Sequence, residues 1–202
     1  MPLISQSIKG LITLKASSKL LSGDKLSALV TAISNATAQY VLSAAIVNST
    51  NIALGPGSGT QTGRISGLVP NTMSSLMMLK ASSAGLSGRD IRKLLDAVSF
   101  GVVNSMKSVL LQGVIIGAGP GTGTSKITGL STSALQKLIL AQSFFRQISG
   151  NKLRALISAM SFGIINHIML SGIVNITDIG VAASPPVGPV TIPTAPGTGR
   201  LV

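Results

Sequence analysis

The sequence predicts a mainly α protein with short β or extended segments, arranged as three tandem helical repeats that each end in a Gly/Pro/Thr-rich extended tract. Three observations carry this. Leu21-Ser22-Gly23 returns as Leu86-Ser87-Gly88 and as Ile148-Ser149-Gly150, at offsets of 65 and then 62 residues. Aligned on those glycines, small and apolar columns recur: Leu26, Ile91 and Leu153; Leu29, Leu94 and Leu156; Ala32, Ala97 and Ala159; Ser34, Ser99 and Ser161. Each copy then runs into a glycine tract: Gly55-Pro56-Gly57-Ser58-Gly59, Gly119-Pro120-Gly121-Thr122-Gly123, and Pro196-Gly197-Thr198-Gly199-Arg200-Leu201. Repetition at a fixed period marks an array or a scaffold. The units are 1–70, 71–132 and 133–202, the last with a Pro/Gly-rich C-terminal tail in which a Pro-rich insertion, Pro185-Pro186 to Pro193, delays the closing tract.

Within each unit the elements follow in a fixed order. A short helix is expected before the Ser-Gly, over Met73 to Ala84 and Ser133 to Gln147 in the second and third copies. A long helix follows the Ser-Gly, because apolar residues recur at i, i+3, i+4 and i+7. Leu26, Leu29, Val30 and Ile33 show the pattern in the first unit, and Leu153, Leu156, Ile157 and Met160 in the third. Ser22, Ser87 and Ser149 are the expected N-caps, with Asp24 and Asp90 favouring the helix dipole. Ala36, Gly101 and Gly163 share a column whose small size permits close helix packing or a break. Val114-Ile115-Ile116 and Ile173-Val174-Asn175-Ile176 then read as β-favouring. Pro56 and Pro120 rule out helix in the tracts, whose ends at Arg64-Ile65-Ser66 and Lys126-Ile127-Thr128 are expected to form short edge strands. Glycine-rich backbone loses much entropy on ordering, so the tracts are expected to be ordered by other chains.

Composition narrows the function. Hydrophobic residues are 45% of the 202 and charged residues 10%, with mean hydropathy +0.56, too apolar for intrinsic disorder. Units of this size bury too little alone, which predicts one shared core. Sixteen Lys and Arg against four acids, all Asp, give a net charge of +12 and call for an acidic neighbour. The basic residues do not run together and aromatics are 2%, which argues against sequence-specific nucleic-acid recognition and leaves only weak non-specific contact. The absence of Cys excludes disulfides and thiolate chemistry. Residues 1–10 do not read as a signal peptide.

No catalytic, cofactor-binding or metal-ligating residue is assigned, and no enzymatic activity is expected. Gly119-Pro120-Gly121-Thr122-Gly123 is not a phosphate loop, since Lys126 is followed by Ile127 and an extended segment rather than by Ser/Thr on a helix. His167 is the single histidine and reads as a packed structural residue. Ala155 to Val174 is long enough to span a bilayer, yet it carries Ser158, Ser161, Asn166, His167 and Ser171. Its equivalents carry Asp96 and Lys107, or Asn35 and Gln39, so a buried helix is expected and a membrane is not. Met73, Met77 and Met78 read as helix-core filler.

The repeated helix and Gly-Thr-Gly pattern, carried by Ala97 to Asn104 with Gly119 to Lys126 and by their equivalents in the other units, resembles small repeat-containing virion structural proteins of tailed bacteriophages. Leu3-Ile4-Ser5-Gln6-Ser7-Ile8-Lys9 is similar to the start of phage tail tubular (nozzle) proteins, without the Gln-Gln-Pro that follows there. The resemblance implies a virion location and a structural subunit of the neck, tail, baseplate or capsid surface. Its partners would be copies of itself and other virion proteins. Arg64, Lys126 and Arg200, in the closing tracts, are the expected partner-binding residues. The alternatives are a membrane-active helical protein and a non-specific DNA-binding packaging protein.

Overall fold

The computed structural model describes residues 4–55, 58–116, 122–171, 173–178 and 194–201. The order helix, helix, strand, strand occurs three times. The short helices are α1 (Ser5–Ser17), α3 (Pro70–Ser83) and α5 (Thr132–Phe145). The long ones are α2 (Asp24–Ala44), α4 (Arg89–Lys107) and α6 (Asn151–Ser171). The strands are β1 (Ile46–Gly55), β2 (Ser58–Ser66), β3 (Leu110–Ile116), β4 (Thr122–Thr128), β5 (Ile173–Asp178) and β6 (Thr194–Leu201). The turn at Gly119-Pro120-Gly121, the Pro56-Gly57 pair and the Pro185 to Pro193 insertion lie outside the described residues.

The molecule is two stacked rings. In the first, each helix packs on its neighbours in chain order, and α1 packs on α6 to close the circle. In the second, all six strands pair antiparallel into a closed barrel, with β6 returning to β1. Long helices are buried around most of their circumference and short ones along one stripe. The stripes are Ile8, Ile12 and Ala16; Met73, Met77 and Ala81; and Leu135, Ile139 and Ser143, at the offsets of the repeat. Such spacing puts each set on one helix face. The buried residues form one core, so no unit keeps a core to itself.

The entries to the long helices correct one expectation. Gly23 and Gly88 are themselves the N-caps, at φ 124 and 121, and no side chain caps either helix. Gly150 holds φ 140 at the matching place. This backbone is one that L side chains rarely adopt, so glycine makes the turn and Ser22, Ser87 and Ser149 stand outside it. The short helices also end alike. Leu20, Gly85 and Gln147 take positive φ, and the next residue's N–H donates back to Ala16, Ala81 or Ser143. This is the Schellman closure.

The extended tracts differ most from expectation. They do not form an outer edge of the sheet: Arg64-Ile65-Ser66 pairs with β1 and Lys126-Ile127-Thr128 with β3, in strands that each have a neighbour on both sides. The tracts are therefore ordered by one another within the chain. Strand alternation explains their glycine content. Val47, Ile65, Leu111 and Ile127 are buried, and Gly63, Gly113, Gly123, Gly197 and Gly199 share the register face of those residues. Eight strands leave an interior just wide enough for side chains, and six leave less. Glycine accordingly stands opposite a large residue, as in Gly63 with Leu111, Gly199 with Val47 and Gly123 with Ile115.

Candidate partner-binding surface

Arg64 and Lys126 lie on the outer wall of the barrel, both exposed. Their places are set by the strands: each precedes a buried inward residue, Ile65 or Ile127, by one step and so points the other way. Arg200 occupies the matching register position on β6. Opposite each cation stands an amide: Asn48 across from Arg64, Gln112 across from Lys126, Asn175 across from Arg200. The three pairs sit at one level, one step beyond Val47–Ile65, Leu111–Ile127 and Val174–Leu201. Ile46 and Leu110, the aliphatic residues nearest the helices on this wall, are each 50% exposed. The structure thus brings all three expected partner-binding residues to one level on alternate strands. The amides opposite them were missed. A period-2 reading of residues 46–48 and 110–112 would have placed them on the same outward face.

Among the described residues the single ion pair lies elsewhere, between Arg146 and Asp96 at 2.9 Å. Asp96 also accepts from the Ser74 hydroxyl, so this carboxylate ties α3, α4 and the end of α5 together. No described side chain pairs with Arg64 or Lys126 through charge, and the chemistry they offer is attraction for carboxylates or phosphates.

His167 is packed, as expected, at 4% exposure. Its Nε2 accepts the Ile4 backbone N–H at 2.9 Å. Because a backbone N–H can only donate, the ring proton is on Nδ1, which donates to Ser171 Oγ at 3.0 Å. Burial lowers its pKa below the ordinary 6.5. Tyr40 stands at the same column of α2 and does the same work: its hydroxyl accepts from the Val69 N–H and donates to the Val69 carbonyl. Ile4 and Val69 are the N-caps of α1 and α3. The third member of the column is Ser105, whose buried hydroxyl has no partner, and there Ser131 caps α5 with its own side chain.

At the far end of the helix ring lie shallow apolar clefts at equivalent places. One of about 400 Å³ lies beside Met78, Leu86, Ile91 and Arg92, and one of about 160 Å³ beside Thr13, Leu21, Leu26 and Ser27. Among the described residues no group of three His, Cys, Asp or Glu is placed to hold a metal ion. One described helix, α6, is long and apolar enough to cross a membrane, with half of its apolar window buried inside the chain. Its buried residues include Ser161, His167 and Ser171, and they match those of α4, which carries Asp96 and Lys107. The comparison with protein-family models, curated proteins and solved structures returns no match.

Proposed function

We propose that this chain is a non-enzymatic structural subunit of a large assembly, a tailed-phage virion component of the neck, tail or baseplate or of the capsid surface. One observation carries the reading: three like units close into rings and hold the same side-chain classes at one level of the barrel wall. Repeated, rigidly spaced faces suit a part that holds neighbours in register. The excess of cations, +12 overall, supports acidic protein neighbours as well as copies of the chain itself. The barrel pairs the extended tracts with one another, so side chains on its wall carry the docking.

The test is where the chain is found. Mass spectrometry of gradient-purified particles, with cryo-electron microscopy of the same sample, should place it in the virion at a fixed copy number. Its absence from particles made by cells that express it would end this reading. Two alternatives are separated on the purified chain. Flotation with liposomes that required detergent to reverse would favour the membrane-active reading. Duplex binding that is tight at low salt and collapses as salt rises would favour DNA packaging.

A further inference from the structure

The helix surface and the barrel wall treat the repeat differently. At the ends of the short helices, exposed equivalents have diverged: Ser17, Ser82 and Phe144; Ser18, Ser83 and Phe145; Leu20, Gly85 and Gln147. On the outward register of the wall the four columns nearest the helices have kept their class, though the column of Thr60, Thr122 and Pro196 beyond them has not: Ile46, Leu110 and Ile173; Asn48, Gln112 and Asn175; Arg64, Lys126 and Arg200; Thr62, Thr124 and Thr198. The fold does not demand this. Strands disfavour Asn and Lys on propensity, and the described members of the set are exposed and make no core. A charge held at the same place on β2, β4 and β6 answers to something outside the chain that is itself three-fold.

We infer that the barrel wall is a three-station socket for a protein partner with true three-fold symmetry. Each of the partner's subunits presents a carboxylate-bearing segment to one cation–amide station, and one copy of this chain serves the whole trimer. The inference rests on the assembly reading above and names the partner's symmetry and chemistry. Carboxylates are called for by the cations together with the scarcity of acids, four in 202 residues, which argues against a second copy as the occupant. A nucleic acid is less well matched, because phosphates run continuously along a strand and favour a basic stripe. Here uncharged Thr positions separate the stations, Thr62 beside Gln112, Thr124 beside Asn175 and Thr198 beside Asn48. Three modest contacts engaged together gain through effective concentration, so each station alone can be weak.

The probe is a synthetic homotrimeric coiled coil with one Asp/Glu-rich tail per strand, titrated calorimetrically against the full chain. The monomeric tail peptide is the control. The expected result is one chain per trimer and binding about 100-fold tighter than to the monomeric peptide. The triple variant Arg64→Gln, Lys126→Gln, Arg200→Gln should lose about tenfold or more of that affinity, with unchanged circular dichroism. Arg64→Lys with Lys126→Arg and Arg200→Lys should keep most of it. Removing the same charge from the helix turns, by Lys19→Gln, Lys25→Gln and Lys152→Gln, should change affinity by no more than about twofold. Equal losses from the two triple variants would overturn the inference, as would a trimer that binds no tighter than the peptide. Tighter binding to random duplex, lost in the wall variant, would give the surface to nucleic acid instead. If the chain is found in particles but these results fail, the assembly reading stands without this partner.

Discussion

Leu20 is a single residue whose backbone disagrees with its side chain. It holds φ 56 and is 93% exposed, at the position that glycine fills in the second unit as Gly85. A β-carbon in the left-handed region costs about 1 kcal/mol or more, and the exposed side chain offsets little of that by burial. Leu20→Gly is therefore expected to stabilise the protein by about 1 kcal/mol, read as a higher denaturant midpoint at unchanged slope. His167 gives the second residue-scale expectation. Its folded pKa is lowered below 6.5, so the unfolded chain binds the proton more readily. Stability from this group is full above that value and declines as pH falls from it toward the lower folded pKa. The protonated ring also loses the Ile4 N–H bond, since Nε2 no longer accepts. Thermal unfolding between pH 7.5 and 5.5 should show this slope, and His167→Gln should flatten it.

Among the elements, the seam between α1 and α6 differs from every other joint of the helix ring. The other neighbours are joined through a turn or a strand hairpin, and this pair is not. It is held by side-chain and backbone contacts alone: the Ile4–His167 bond, Lys15 Nζ 5.2 Å from the Phe162 ring centroid, and a helix approach that leaves no space at Gly163. A Cβ on Gly163 would lie 2.8 Å from the Ile12 backbone nitrogen, whereas one on Gly101 meets the side chains of Ile139 and Leu135. Backbone cannot yield as a side chain can. Gly163→Ala is expected to cost about 2–3 kcal/mol and Gly101→Ala about 1 kcal/mol. Ala36 already carries the methyl at the third equivalent site and is fully buried. Chemical denaturation of the two variants checks the order.

Much at this scale was legible in the sequence. Helical periodicity announced the long helices, because that signal is local, whereas the small-residue column left close packing and a break open and the structure has the packing. Barrel closure was not legible. The glycines at 63, 113, 123, 197 and 199 read as entropy cost when taken one strand at a time. They read as lumen positions once six strands are known to curve together. The wall stations were half legible. Charge singled out Arg64, Lys126 and Arg200, but the amides opposite them follow from cross-strand register, which a single strand does not contain.

For the whole molecule the decisive fact is that β6 pairs with both β5 and β1. A chain ending at residue 193 would leave two open edges, which invite pairing between molecules. It is expected to aggregate or to form strand-exchanged oligomers, seen by light scattering and size-exclusion chromatography. A truncated chain that stayed monomeric with an unchanged melting transition would contradict this.

The same closure sets a timetable. During synthesis the second neighbour of β1 arrives only after some 140 further residues have left the ribosome, as β1 ends at Gly55 and β6 begins at Thr194. Until then the nascent protein is an unfinished circle with an open end, and contacts this distant in sequence form slowly. At high local concentration, as in polysomes making many copies, the strand that completes one circle is free to complete its neighbour's.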